Sequence, residues 1–385
     1  MSAIRRILTI NLPVKQSAFL WGARKTGKST YLKEAFPQSP VYDFLRTDLF
    51  LALTRNPALL REQILAQKGP ALKHPIILDE VQKVPQVLDE VHWLIENEGL
   101  RFILCGSSAR KLKRGHANLL GGRAWRYEMF PLVSAELKEF DLLRALNHGL
   151  IPDHYLRDDY QKSLQAYVQD YLKEEIFAEG LTRNIPAFSR FFEAMAFSHG
   201  QLTNYSNIAR DCGVDYKTVR EYYQILVDTF LGTRVEPFNR RQSRQVISQA
   251  AKFYLFDVGV AGFLTNRVLK EERGEEFGRA FEHFILMEIL AYRSYRERDF
   301  EIRFWRTKSG LEVDFVLGKA EVALEVKSAR RVDNKDLRSL AAFTDEFSPK
   351  KSLLVSNEKQ QRLYGKIRIL PWQNFLELLW GGKII

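Results

Sequence analysis

Three sets of residues in this 385-residue sequence have types and spacing suited to chemistry. The first is Gly22-Ala23-Arg24-Lys25-Thr26-Gly27-Lys28-Ser29, which fits G-x-x-x-x-G-K-[ST] at every fixed position. Glycines let backbone N–H groups wrap an anionic phosphate with no Cβ in the way. Lys28 reaches the terminal phosphates of ATP, and the Ser29 hydroxyl ligates Mg2+. Thr30 completes the expected ATP-binding set. The second set is Ile76-Ile77-Leu78-Asp79-Glu80, with Asp79 holding Mg2+ through water and Glu80 orienting the water that attacks the γ-phosphate. Arg101-Phe102-Ile103-Leu104-Cys105-Gly106 follows and ends in Ser107-Ser108. A hydroxyl there reads the γ-phosphate, with Ser107 the first choice and Ser108 the second; a helix N-cap serine is the plain alternative. The third set lies far along the chain: Glu282, Asp314, Glu325 and Lys327. Carboxylates on neighbouring strands can share a divalent cation, Mg2+ or Mn2+, and a lysine two residues on points to the same face.

These side chains require particular elements beneath them. Ser17 to Trp21 reads as a short apolar strand entering the first glycine, and Thr30 to Phe36 as a helix stopped by Pro37. The Ser17–Trp21 and Asp79 runs read as neighbouring buried strands of one parallel sheet, with the Ser107 run as a third strand. Glu282 lies in a stretch from Arg279 to Tyr292 with Phe281, Phe284, Ile285, Glu288 and Ile289 at helical spacing. Phe304-Trp305-Arg306, Leu311 to Leu317 and Val322 to Lys327 read as strands, the last two joined by a turn at Gly318-Lys319.

The first 135 residues resemble the AAA+ ATPases, and among them a prokaryotic family with an additional C-terminal domain. The phosphate loop carries the resemblance, with Ile76 to Gln82, Gly106-Ser107-Ser108-Ala109, Leu120-Gly121-Gly122-Arg123 and Met129-Phe130-Pro131-Leu132. The resemblance implies an arginine finger at Arg123, acting from a neighbouring subunit, and hence a ring or other homo-oligomer, a hexamer favoured. A second arginine sensor has no counterpart in the sequence.

Two cysteines, Cys105 and Cys212, exclude a disulfide framework and a thiolate zinc site. With no signal-peptide core and no apolar run near the ~18 residues of a bilayer span, the expectation is a cytoplasmic protein without a membrane partner. A net charge of +11 favours polyanions, nucleic acid before membrane surface. Arg110, Lys111, Lys113, Arg114, Arg123 and Arg126 follow one another without an acid between them. Such a loop beside an ATP site can grip DNA phosphates; a solvated face is the plain alternative.

Residues from about 155 to 235 read as helical, with Tyr167 to Phe177 and Phe188 to Ala196 supplying core. Asn204 to Asp211, a turn at Cys212-Gly213-Val214-Asp215 and a helix from Tyr216 to Phe230 read as a helix-turn-helix. It presents Lys217 and Arg220 near the start of the second helix, with a wing around Gly232 to Val235 and Asn239 to Arg244.

Asp314, ten intervening residues, then Glu325-x-Lys327 resembles the core of the PD-(D/E)XK nuclease-like fold. The resemblance implies that Lys327 stabilises an attacking hydroxide and that Glu282 completes the acidic cluster. Val313 stands where that family's name has proline. The expected architecture is α/β: an AAA+ P-loop domain (1–150), a helical winged-helix domain (151–240) and a nuclease-like α/β domain (241–385). The expected function is an oligomeric DNA-binding ATPase acting on branched or forked DNA. The alternatives are an ATP-dependent metal nuclease and a signalling or defence ATPase sensing a ligand.

Overall fold

The computed structural model describes residues 4–67, 73–110, 112, 120–172, 184–239 and 250–385. The chain clusters into two compact units, Met1–Leu132 with Ile225–Leu231, and Val133–Gln224 with Gly232–Ile385.

Among the described residues the first unit is built on five parallel strands: β1 (Ser17–Trp21), β2 (Val41–Asp43), β3 (Ile76–Asp79), β4 (Phe102–Gly106) and β5 (Ala124–Glu128), in the order β2-β3-β4-β1-β5, so that β4 pairs with both β1 and β3 and separates the two strands expected to be neighbours. β1, β3 and β4 are buried along their whole length, so they read as continuous apolar runs rather than alternating ones. Phe19, Ile76, Leu78, Phe102 and Leu104 share a core with Leu88, Val91 and Leu94 of the helix α2 (Val87–Glu98). α1 (Lys28–Ala35) begins two residues earlier than the apolar pattern predicts. Gly27 turns the chain at φ +96°, a conformation that glycine adopts without a Cβ clash, and the helix starts directly after it. Gly22 is equally constrained: a Cβ there would lie 2.3 Å from the Met129 carbonyl oxygen.

The second unit holds α3 (Ile185–Phe197), α4 (Tyr205–Cys212), α5 (Tyr216–Asp228), α6 (Glu275–Tyr295), α7 (Asn334–Phe347) and α8 (Trp372–Trp380); the end of α5 belongs to the first unit. Asn204 caps α4 by accepting the Asn207 N–H at 3.1 Å, Gly213 reverses the chain at φ +65°, and Asp215 caps α5 through the Thr218 N–H at 2.9 Å. Phe188, Phe191, Tyr222 and Tyr223 pack together behind these helices.

Its sheet has eight strands: β6 (Gly232–Pro237), β7 (Lys252–Leu255), β8 (Ile302–Arg306), β9 (Glu312–Leu317), β10 (Val322–Val326), β11 (Lys351–Ser356), β12 (Arg362–Tyr364) and β13 (Ile367–Pro371), in the order β12-β13-β11-β10-β9-β8-β6-β7. β6 pairs antiparallel with β7 and parallel with β8. A boundary at 240 therefore cuts a hairpin, and the expected middle and last domains cluster as one unit because β6 joins them. β8, β9 and β10 form an antiparallel meander, and β11 runs parallel beside β10. The expected wing residues Arg240 to Arg244 lie outside the described residues.

A closed circuit of hydrogen bonds fastens β7 to α6. The Leu255 N–H donates to His199 Nδ1 at 3.2 Å, His199 Nε2 meets His283 Nδ1 at 3.0 Å, and His283 Nε2 meets the Leu255 carbonyl at 2.7 Å. Burial pushes His283 down to about 3 and His199 well below its ordinary value. Glu288, further along α6, accepts from the Ser134 N–H, the Ser134 hydroxyl and the Trp380 indole at 2.7, 2.8 and 2.7 Å. Burial nevertheless raises it to about 7. Among the described residues no helix is long and apolar enough to cross a membrane.

Candidate nucleotide site and a second acidic cluster

The carboxyl ends of β1, β3 and β4 bring the first two sets together. Lys28 is 6% exposed, and its Nζ donates to the Gly22 and Ala23 carbonyls at 2.8 and 2.9 Å. The Thr26 hydroxyl closes the same loop on the Ala23 carbonyl at 2.8 Å. Arg6 braces it from outside, donating to the carbonyls of Thr26 and Phe130 at 2.6 and 2.7 Å. Ser29 Oγ donates to Asp79 Oδ2 at 2.7 Å across the gap between the loop and β3.

Glu80 follows at φ +58°, a left-handed conformation that costs a non-glycine residue of order 1–3 kcal/mol. Asp79 Oδ1 helps hold it by accepting the Glu80 N–H at 3.0 Å. The Glu80 carboxylate accepts from Gln82 Nε2 at 2.5 Å, and the same amide donates to Ser107 Oγ at 3.0 Å. Arg24 Nε also donates to Ser107 Oγ, at 3.4 Å. Ser108 instead accepts the Arg110 N–H at 3.3 Å. Ser107 is thus linked through Gln82 to the Glu80 carboxylate.

The remaining candidates are dispersed. Arg123 is half-buried, and its guanidinium pairs with Glu96. Arg110 does not stand out on a loop: its side chain is 12% exposed and reaches Asp228 at 3.4 Å. That corrects its assignment to an exposed DNA grip. Lys111, Lys113 and Arg114 lie outside the described residues. Lys217 and Arg220 are exposed in the first turns of α5, with the Arg220 guanidinium 5.9 Å above the Tyr216 ring.

The third set meets in the second unit. Asp314 on β9 and Glu325 on β10 are both buried, and Asp314 Oδ2 accepts the Val326 N–H at 2.8 Å. Lys327 Nζ donates to Glu325 Oε1 at 2.5 Å, while Glu325 Oε2 is buried with no hydrogen-bond partner. Glu282 on α6 accepts the Tyr254 hydroxyl at 2.5 Å. A second lysine, absent from the sequence-derived set, enters from β7. Lys252 is 4% exposed and lies 2.6 Å from Glu312 Oε1 and 3.5 Å from Glu282 Oε1. Burial pulls its ammonium down, and the charges of Glu282, Asp314 and Glu312 outweigh that and hold it above its ordinary value. Burial, then the charges of Glu325 and Glu282, push Asp314 well up. Burial also raises Glu325, against the pull of Lys327.

Residues 14–138 match the family model described as an AAA domain. Two domains of unknown function, DUF8612 and DUF4143, match residues 139–271 and 277–375. Two relatives from Mycobacterium, "Uncharacterized protein Mb2031c" of M. bovis and "Uncharacterized protein Rv2008c" of M. tuberculosis, are each 25% identical over 309 residues. The match takes in 77% of this chain and 66% of each relative's own length, just under two thirds. A solved structure titled "Structure of the Aeropyrum Pernix ORC2 protein (ADPNP-ADP complexes)" is 13% identical, covering 66% of this chain and 87% of that one, with a TM-score of 0.33.

At the phosphate loop the residues fit Mg2+. Ser29 and Asp79 offer hard oxygens 2.7 Å apart, and among the described residues Lys28 is bonded to neutral carbonyls, which leaves its charge for a polyphosphate. The second cluster does not fit a resident divalent ion in the same way. Among the described residues, no group of three His, Cys, Asp or Glu side chains has the arrangement of a metal site. Lys252 and Lys327 take up oxygens that a metal would need. Sequence reasoning missed Gln82, Lys252, Tyr254 and Glu312 as site residues. Gln82 had a signal, two residues past Glu80; Lys252 lies 30 residues from Glu282 and 60 from Glu312 and had none.

Proposed function

We propose that the chain is an oligomeric, DNA-binding AAA+ ATPase that hydrolyses ATP to act on DNA, with branched or forked DNA as its substrate class. One observation carries the ATPase: Lys28, held by carbonyls, shares a sheet edge with the Ser29–Asp79 pair and Glu80. In this reading the loop N–H groups and Lys28 bind the polyphosphate, and Glu80 orients the attacking water and polarises it. Gln82 fixes the Glu80 carboxylate and links it to Ser107, which reads the γ-phosphate. Bound Mg2+, held through Ser29 and Asp79, supplies neutralisation of charge between the β- and γ-phosphates. Arg123 acts on the neighbouring subunit's nucleotide, in a ring for which six copies are favoured.

The DNA half of the reading is supported by α4, the Gly213 turn and α5, which offer Lys217 and Arg220, with the β6–β7 hairpin as the wing. A metal nuclease is the second reading, favoured by the unpartnered Glu325 Oε2. Lys252 weighs against it, and a PD-(D/E)XK-like domain serving as a DNA-binding platform accounts for both. ATP turnover measured alone and with single-stranded, duplex, forked and four-way DNA tests the function. Stimulation greatest with forked or four-way DNA is expected. Turnover indifferent to every DNA, with none bound at low salt, would end the DNA half of the reading.

A further inference from the structure

The second unit has an open cleft of about 1710 Å3 at the carboxyl ends of β10 and β11. Pockets for small ligands run to about 300–1,000 Å3 and are mostly apolar. This cleft is larger, and its lining differs in kind. Arg330, Arg331, Lys335 and Lys359 line it, all exposed. None of the four lies within salt-bridge distance of a carboxylate among the described residues. Of the lining acids, Glu358 is already committed: it accepts from the Val332 N–H at 2.7 Å and pairs with Arg362 at 2.8 Å. Arg331 also acts on that carboxylate by its charge, and Glu272 and Asp333 are the other lining acids set against the four cations. Amide side chains fill much of the rest, among them Asn334, Gln360, Gln361, Gln373 and Asn374. A further amide, Asn357, has its Oδ1 buried with no hydrogen-bond partner. On the rim, Tyr364 of β12 is 44% exposed.

We propose that this cleft binds a single-stranded nucleic-acid segment. Exposed cations meet the phosphates, amides hydrogen-bond to phosphate or base edges, and an exposed ring stacks on a base. The ring decides single strand over duplex, because a base face is free to stack only when unpaired. An acidic peptide would use the cations but not the ring. The inference rests on the DNA-binding reading above and gives it a surface separate from α5.

The test is fluorescence anisotropy with a labelled oligo-dT across a salt series, on the full chain. The fourfold variant Arg330→Gln, Arg331→Gln, Lys335→Gln, Lys359→Gln changes only exposed side chains and leaves DNA-free ATP turnover as it was. It is expected to reduce the slope of log K against log salt by roughly 0.7 for each phosphate no longer neutralised, up to about 3 for all four. Tyr364→Ala is expected to weaken oligo-dT roughly 5- to 100-fold, with duplex binding through α5 retained. If the wild type binds oligo-dT and the fourfold variant keeps its affinity and slope, the cleft assignment is wrong while DNA binding stands. If the wild type binds neither oligo-dT nor duplex at low salt, the underlying reading is wrong. Poly-glutamate competing as well as oligo-dT, with Tyr364→Ala affecting neither, would make the cleft a general polyanion surface and overturn the proposal.

Discussion

The phosphate-loop site and the C-terminal sheet each gather acids and lysine, yet the two clusters differ in what the lysine touches. Lys28 is held by two neutral carbonyls, and Lys252 and Lys327 by carboxylates. A buried ammonium on carbonyls stays electrostatically unpaired and suits an arriving anion. A buried ammonium on carboxylates has its counter-ions already, and each of those carboxylates has an oxygen less to give to a metal. Residue type alone does not separate a poised site from a satisfied one; the partner of the cation does.

The sharpest way to break this comparison is at Lys28 and Glu80. Lys28→Ala is expected to abolish ATP hydrolysis and weaken nucleotide binding. Glu80→Gln is expected to keep binding and lose turnover by about 10²-fold or more. Steady-state ATPase rates with nucleotide titrations decide it, and wild-type turnover by either variant would remove the site assignment. Next comes Lys252→Met. Taking one partner from a buried charge cluster is expected to cost about 3–5 kcal/mol of stability. Millimolar Mn2+ is expected to recover part of that loss in the variant while leaving the wild type unmoved, read as shifts in thermal midpoint. Wild-type protein stabilised by Mn2+ through Asp314 would show that the lysines do not satisfy the cluster.

A smaller effect is expected at Gln82. Gln82→Ala frees the Glu80 carboxylate, so kcat should fall by about 10- to 100-fold with nucleotide affinity unchanged. A fall in affinity with kcat preserved would place Gln82 in binding instead. The smallest effect is a pH slope. Glu288, raised to about 7 from 4.5, holds a proton in the folded chain that the unfolded chain releases. Its contribution is full below the unfolded value and lost as pH rises through about 7, with a slope of at most about 1.4 kcal/mol per pH unit. Glu325 shifts in the same direction and adds to the trend. The difference in urea midpoint between the wild type and Glu288→Gln should therefore move against the wild type from pH 5 to 8, whatever the absolute stability of either and whatever the histidines add in both. An equal slope in both proteins would assign the trend to other groups.

What the sequence made legible follows the same division. The phosphate loop is contiguous, so its eight residues announce both the turn and its chemistry. The acids at the ends of β3 and the serines at the end of β4 are legible because buried parallel strands are continuous apolar runs that stop abruptly. Asp314 and Glu325 were visible through strand alternation, but Lys252 enters from β7, after a segment with no periodic pattern. Its partners are chosen by the pairing of β6 with both β7 and β8, a tertiary outcome that residue spacing does not encode. Gln82 sat in plain view, and only the Glu80 turn at φ +58° and the absence of a side chain at Gly106 bring its amide onto Ser107. A Cβ at Gly106 would lie 2.4 Å from Gln82 Oε1.

The circuit through His199 and His283 has a sense of rotation. Because the Leu255 N–H must give and its carbonyl must receive, both rings are fixed as the tautomer with hydrogen on Nε2, and every donor faces the same way round. A ring of this kind has no vacancy for one more proton, since adding one sets two donors face to face. With His283 at about 3 and unfolded histidine near 6.5, its stabilisation is complete above the unfolded value, shrinks steadily below it and is gone once pH has dropped through the folded one. Two imidazoles, the side chains most apt to titrate near neutrality, thus stay uncharged there in the folded chain and serve as rivets that keep the Lys252 strand docked.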